Sequence, residues 1–314
     1  MRKIMYDFIG DIHGHADHLK KLLNKLGYKK VDGVFQHKER KAFFLGDLID
    51  SGPQVEEVLA IVKPMVESEK AKCILGNHEF NMLGLFLERD DSSKKDPVFY
   101  RTRSDDHLTQ AMASLPFFLS KNQETKEKAD EIMRWFYDLP LFYEEENFRV
   151  AHACWHEESI ALLKKSLKGN SPTKKLIREA SKFGKKNLYN AIELVLKGPE
   201  VDLPKKFKYL DSYGKERKQA RICWWNEDEK LVLKNRESFK EEEIKKIPVN
   251  FNFASNESKL TFFGHYWQRF KEGKPFITHP KAQCLDFSVA NKGHLVAYRF
   301  EGEDQIKESN FVWV

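Results

Sequence analysis

Residues 7 to 14 read Asp7-Phe8-Ile9-Gly10-Asp11-Ile12-His13-Gly14. The apolar run from Ile4 to Ile9 predicts a buried strand. Just past its end come a carboxylate and an imidazole, two residues apart, between glycines that let the backbone turn sharply. In extended chain, positions i and i+2 point to the same side, so Asp11 and His13 can converge on one point, as two ligands of a metal must. Taken alone, this Asp-x-His pair is equally at home in an ordinary polar loop. The next two polar loops of the chain decide between a ligand pair and a turn.

The theme of apolar strand, Gly-rich polar loop and amphipathic helix occurs three times in the first ninety or so residues. After the first loop, Leu19, Leu22, Leu23 and Leu26 fall at helical spacing, with Asp17 in the first turn and Gly27 as a stop. Ala42-Phe43-Phe44-Leu45 then predicts a strand leading into Gly46-Asp47-Leu48-Ile49-Asp50-Ser51-Gly52-Pro53. Val55, Val58, Leu59 and Val62 mark one face of a second helix, ending near Pro64. Lys72-Cys73-Ile74-Leu75 predicts a third strand, running into Gly76-Asn77-His78-Glu79, with Phe80, Leu83 and Leu87 continuing as a helix. A β-α-β-α-β order favours parallel strands with right-handed crossovers. The polar loops then share the carboxyl ends of neighbouring strands, where open α/β sheets place their ligands. Asp11, His13, Asp47, Asn77 and His78 are therefore predicted to line one rim.

Composition bounds the rest. A chain of 314 residues that is 41% hydrophobic can bury a sizeable core. No window approaches the roughly 18 apolar residues of a membrane span, and the strand and motif begin too near Met1 for a cleavable leader. Cys73, Cys154, Cys223 and Cys284 are scattered, without a Cys-x-x-Cys spacing. These features predict a cytoplasmic protein with reduced thiols and no membrane contact. The balance of 54 basic against 48 acidic residues says little about partners.

The order Gly10-Asp11-Ile12-His13-Gly14, Gly46-Asp47 to Pro53 and Gly76-Asn77-His78-Glu79 resembles the calcineurin-like metallophosphoesterases. The resemblance is to the branch containing the phosphoprotein phosphatases and the symmetrical dinucleoside-tetraphosphatases. Val150-Ala151-His152-Ala153 and Phe262-Phe263-Gly264-His265 supply later motifs, each histidine at the end of an apolar run. Cys284 to Val289 and His294 to Arg299 resemble the family's closing strands. The Arg221-x-Cys223-Trp224-Trp225 and Gly264-His265-Tyr266-Trp267 stretches resemble a bacterial subgroup. By this resemblance Asp11, His13 and Asp47 hold a first metal, Asp47, Asn77, His152 and His265 hold a second, and Asp47 bridges. Two divalent ions so held polarise phosphoryl oxygens and lower the pKa of a shared water, giving a bridging hydroxide that attacks phosphorus. Carboxylate, amide and imidazole without cysteine suit borderline to hard ions such as manganese, iron, zinc or nickel, and manganese is taken as the first expectation among them. The resemblance also makes His78 the acid that protonates the departing oxygen, with Asp50 orienting it.

Two positions mark the branch. Position 267 is Trp, where many metallophosphoesterases outside this branch carry a second histidine. Position 51 is Ser, where this branch has arginine, a planar clamp for phosphate that serine cannot mimic. Arg221, between the two late histidines, falls where the family places a second phosphate-binding arginine.

The middle of the chain is less informative. Glu88 to Asp106 is polar, with a loop over Asp90 to Pro97. Ile132, Met133, Trp135, Phe136 and Leu139 predict a helix stopped by Pro140, and Leu141 to Tyr143 with Phe148 to Val150 a hairpin. Between Ile160 and Arg221 there are 17 Lys or Arg against 6 Asp or Glu. Helical stretches are expected at Ile160 to Leu167, Thr173 to Phe183 and Asn187 to Leu196. This segment reads either as a basic cap that concentrates a polyanionic substrate or as a solvated lysine-rich face. The acid-rich Glu227 to Glu243 beyond it argues against nucleic acid.

The expected architecture is therefore an α/β fold, a two-sheet sandwich flanked by helices. Residues 1–156 and 258–314 form the core and 157–257 an inserted helical, basic cap. The expected activity is dimetal hydrolysis of phosphomonoesters, with phosphoserine or phosphothreonine in a protein or peptide put first. The alternatives are hydrolysis of a dinucleoside polyphosphate or another nucleotide, and a metal-containing binding module that has lost catalysis.

Overall fold

The computed structural model describes residues 5–93, 98–167, 169–181, 184–204, 207–210, 216–225 and 259–314. The expected strand start at Ile4, the loop's end at residues 94–97, Phe183 and the acidic stretch 227–243 lie outside them.

In chain order the first elements are β1 (Met5–Ile9), α1 (Ala16–Lys25), β2 (Lys29–Val31), β3 (Val34–Gln36), β4 (Arg40–Phe44), α2 (Val55–Glu67), β5 (Ala71–Cys73) and α3 (Asn77–Phe86). The middle holds α4 (Asp105–Gln110), α5 (Leu115–Phe118), α6 (Gln123–Asp138), β6 (Phe142–Glu144), β7 (Phe148–Ala151), α7 (Glu157–Ser166), α8 (Lys174–Glu179) and α9 (Lys186–Lys197). Next come four short strands, β8 (Glu200–Asp202), β9 (Tyr209–Leu210), β10 (Glu216–Arg217) and β11 (Gln219–Arg221). The chain closes with β12 (Leu260–Phe263), β13 (Ala282–Cys284), β14 (Asp286–Phe287), β15 (His294–Phe300) and β16 (Phe311–Trp313).

One sheet has the order β14-β15-β1-β4-β5, with β16 against β15, and the other β13-β12-β7-β6. β1, β4 and β5 run parallel, as the βαβ reading requires, and β15 joins β1 antiparallel. In the second sheet β12 runs parallel to both β7 and β13. Thus the strands leading to His152 and His265 end on the same side.

The pleat explains the sandwich. Along β1, Tyr6 and Phe8 face the second sheet, where the Phe8 ring stacks on Phe262 with centroids 3.9 Å apart and meets Phe148 edge-on at 5.0 Å. Ile9, on the other face, joins Leu19, Leu22 and Leu23 of α1 and Val58 and Val62 of α2. Alternate positions of one strand thus feed two cores, sheet against sheet and sheet against helix. Buried residues of α7, α8 and α9, among them Leu163, Ile177 and Val195, join the helix-side core.

Two local outcomes differ from the sequence expectation. The helix expected to end near Pro64 continues to Glu67. Pro64 removes a hydrogen bond to the carbonyl four residues back, but that residue, Ala60, is exposed, so water can take the bond. The β2–β3 hairpin has little sequence signal, since Gly33 marks the turn but the strands are only three residues each.

Asp7, fully buried on the helix face of β1, ties the sheet laterally. Its Oδ1 lies 2.8 Å from Arg40 Nε on β4 and 3.2 Å from Arg299 Nε on β15, and Tyr28 donates to its Oδ2 at 3.0 Å. Arg40 also donates to the Tyr6 and Phe300 carbonyls at 2.8 and 2.9 Å. Burial, then the Asp7 charge, pushes the Tyr28 hydroxyl far up, so it stays a donor. Removing one partner of a buried pair leaves the other uncompensated. Asp7→Ala is therefore expected to destabilise by about 3–5 kcal/mol, read as a lower urea midpoint. An unchanged midpoint would contradict this role for Asp7.

Candidate dimetal site

Each site residue stands at an element's end. Asp11 and His13 come after β1, Asp47 and Asp50 after β4, Asn77 and His78 open α3, and His152 and His265 come after β7 and β12. His13, Asp47, Asp50 and His265 have positive φ, at 46, 50, 69 and 62°. Left-handed backbone is costly for residues with a Cβ and gathers at functional sites. Gly264 and Gly76 make room for the carboxylates, because a Cβ at either would collide with Asp11 Oδ1 or Asp47 Oδ1.

The structure brings the expected ligand-type residues together. Asp47 Oδ2 lies 3.2 Å from His152 Nε2, 3.6 Å from His13 Nε2 and 3.9 Å from His78 Nε2. Asn77 Oδ1 lies 3.0 Å from His152 Nε2 and 2.7 Å from His265 Nδ1. His265 N donates to Asp11 Oδ2 at 2.9 Å. Two groups, His13-Asp47-His78 and Asp47-His152-His265, each have side-chain donor atoms within 4.8 Å of one another, and they share Asp47. Arg221 lies beside the cluster, 3.4 Å from the His265 carbonyl and 3.7 Å from Glu200. Ser51 is exposed.

The donor set fits divalent cations. Asp11 Oδ1 is buried and accepts no hydrogen bond, which is costly for a carboxylate oxygen without a positive partner. His13 Nδ1 faces the Ile49 carbonyl at 3.0 Å and His152 Nδ1 the Leu45 carbonyl at 2.7 Å. Assigning the protons there leaves both Nε2 lone pairs turned to Asp47. Burial lowers the His152 pKa, but Asp47 outweighs it and raises it to about 10. Asp47 is held well below the usual range, since His152 and His78 overcome a burial effect of opposite sign. Burial, then Asp286, raises Asp11. Crowded acceptors around Asp47 thus call for positive charge, from protons or from cations.

His78 has a separate support. Its Nδ1 is 2.7 Å from Asp50 Oδ2, and Asp50 Oδ1 accepts from Ser114 Oγ at 2.5 Å while Asp50 N donates to that oxygen at 2.9 Å. Burial works to lower the His78 pKa, but Asp47 and Asp50 prevail and raise it to about 9. A proton on Nδ1 toward Asp50 leaves Nε2 on the Asp47 side.

Sequence reasoning missed Ser114, a single serine 64 residues from Asp50 with no local signal. It also left Glu79 without a role. The fully buried Glu79 accepts from Asp47 N (2.9 Å), Leu48 N (2.8 Å), Ile49 N (3.2 Å) and Gly76 N (3.0 Å), clamping two site loops together. Glu79 is the third residue of α3, and an acid there reaching back to the helix start is a capping pattern the sequence carries.

A two-sheet sandwich with two ligand groups sharing one carboxylate at its strand ends defines a metallophosphoesterase-type centre. The calcineurin-like phosphoesterase family model matches residues 6–203, and the chain belongs to that family. Among its relatives is the asymmetrical bis(5'-nucleosyl)-tetraphosphatase PrpE of Oceanobacillus iheyensis, 33% identical over 154 residues, covering 47% of this chain and 55% of the relative. PrpE of Bacillus subtilis is 35% identical over 138 residues, covering 44% and 51%. The chain thus spans about half the length of these curated relatives. A solved cold-active protein tyrosine phosphatase, 17% identical, shares the fold with a TM-score of 0.50 over 98% of this chain and 80% of its own. Among the described residues, no helix is long and apolar enough to cross a membrane.

Proposed function

We propose that the protein is a dimetal hydrolase of phosphate esters and anhydrides, with manganese the first choice of ion. Asp11, His13 and Asp47 would hold one cation and Asp47, Asn77, His152 and His265 the other. Bound there, the pair supplies charge that polarises phosphoryl oxygens and makes water nucleophilic at neutral pH. The chain's own groups do the rest. Asp50 accepts a hydrogen bond from His78 Nδ1–H and holds the ring, leaving Nε2–H to protonate the departing oxygen. Ser114 fixes Asp50, and Glu79 keeps the Asp47 loop in register with the start of α3.

The observation that carries this reading is Asp47 Oδ2, which stands 3.2 Å from His152, 3.6 Å from His13 and 3.9 Å from His78. One carboxylate serves both ligand groups and the acid. For substrate, the relatives named bis(5'-nucleosyl)-tetraphosphatase favour an anhydride in a dinucleoside polyphosphate. Resemblance to the branch that also includes the phosphoprotein phosphatases makes phosphoserine or phosphothreonine the second reading. Residues 157–257 would act as the cap.

Assaying manganese-loaded protein on diadenosine tetraphosphate and on phosphopeptides tests both. Turnover of the dinucleotide, abolished by chelation and restored by manganese, is the expected result. Turnover of phosphopeptides alone would reverse the substrate order. Absence of metal-dependent turnover on either, and on p-nitrophenyl phosphate, would leave a binding module.

A further inference from the structure

Two clefts meet beside His78. The larger, about 190 Å³, is walled by Phe80 and Asn81 of α3, by Tyr100 and Arg101, and by Tyr189 and Lys197 of α9. The smaller, about 10 Å³, is lined by His78 and Asp50 together with Arg101. Asn81, Arg101 and His107 border both, so the two clefts adjoin on the side of His78 that faces Asp50.

Arg101 is held there by the backbone. Its N–H donates to the Gly84 carbonyl at 3.0 Å, and a Cβ on Gly84 would stand 3.1 Å from Arg101 Cβ. Glycine is a poor helix residue, and this close approach is the reason to have one within α3. The Arg101 guanidinium is part-buried. Among the described residues its side-chain hydrogen bond goes to Gln110 Oε1 at 3.3 Å, and the carboxylates that act on it, Glu193 and Asp50, make no ion pair with it. Burial draws its pKa down. A guanidinium withdrawn from water without a carboxylate partner is costly, and a bound anion supplies the missing charge. The other candidate cations are engaged, Lys197 by Glu193 at 2.5 Å and Arg221 by Glu200 at 3.7 Å.

We propose that Arg101 grips a phosphate of the leaving group, standing in for the arginine that position 51 lacks, and that the cleft between α3 and α9 seats that group. The rings of Phe80, Tyr100 and Tyr189 line a seat for a planar ring, so the leaving group is a nucleotide with its phosphates at Arg101. This rests on the phosphoryl-transfer reading of the dimetal site.

The test is calorimetric titration of ATP and of inorganic triphosphate into manganese-loaded wild type, Arg101→Ala, Arg101→Lys and Tyr189→Ala. Arg101→Ala is expected to weaken both ligands by about tenfold or more, the loss of a charged hydrogen-bonded contact. Arg101→Lys recovers only part, because an ammonium cannot fork onto two oxygens. Tyr189→Ala weakens ATP by about fivefold or more, the loss of one stacking partner, and inorganic triphosphate less. KM for diadenosine tetraphosphate rises with the ATP dissociation constant. Circular dichroism of each variant checks its folding, and the lysine variant keeps the test open should Arg101→Ala unfold.

Equal affinity of wild type and a folded Arg101 variant for both ligands overturns the proposal, as does wild type that binds neither. Equal weakening of ATP and triphosphate by Tyr189→Ala overturns the ring seat. If wild type hydrolyses p-nitrophenyl phosphate while these titrations fail, the hydrolase reading survives without this cleft. If ATP binds as expected but no phosphate compound is hydrolysed, the hydrolase reading fails instead.

Discussion

His78→Asn is expected to lower kcat on an alkyl phosphate ester, a phosphoserine peptide, by about 10²–10⁴-fold, the range a positioned proton donor contributes. The 2.7 Å contact between His78 Nδ1 and Asp50 aims the opposite nitrogen at the space beside Asp47. Asparagine keeps a polar side chain there but cannot deliver a proton. The loss should depend on the leaving group. p-Nitrophenolate departs without a proton, as does a nucleotide phosphate, so turnover of p-nitrophenyl phosphate should fall much less than that of an alkyl ester, whose alkoxide needs the acid. Bound manganese, measured on the same samples, should stay near the wild-type amount, because the other ligand-type side chains are untouched. An equal loss on both substrates, with the metal retained, would remove His78 from the role of acid.

The differing legibility of these residues has physical causes. Asp11 and His265 are 254 residues apart and follow strands of different sheets; each ends an apolar run, but it was the family resemblance that put them at one site. The apolar run marks a buried strand but not which of its faces meets the second sheet, since Phe8 and Ile9, on opposite faces, are both apolar. Glu79 was readable in principle, since an acid at the third helical position is a local capping signal. Ser114 and Arg101 were not. Their roles come from tertiary contacts, Ser114 with Asp50 and Arg101 with Gly84, and neither the polar stretch around Arg101 nor the apolar one around Ser114 carries a local signal for them. Pro64 shows the converse, where a strong local breaker yields to context because Ala60 is exposed and its carbonyl can be hydrated.

Asp47→Asn is expected to lower rate, metal content and metal-dependent stability together. Asp47 is the residue common to both ligand groups, and its Oδ1 also accepts from His78 N at 3.0 Å, holding the first turn of α3. An amide keeps one oxygen and the hydrogen-bonding shape but gives up the charge that faces His13, His78 and His152. The metals' share of transition-state stabilisation is several kcal/mol, so losing about 4 kcal/mol corresponds to roughly 10³-fold in rate. Metal content should fall below two ions per chain. Manganese should also protect the variant less against unfolding. A cation at about 100 times its dissociation constant stabilises by about 2.7 kcal/mol, and a site that no longer binds gives none of this. Elemental analysis, thermal unfolding with and without manganese, and turnover of p-nitrophenyl phosphate read the three effects separately. A variant that keeps two ions, the full manganese-dependent shift and the wild-type rate would mean that Asp47 bridges nothing, and the two ligand groups would have to work independently.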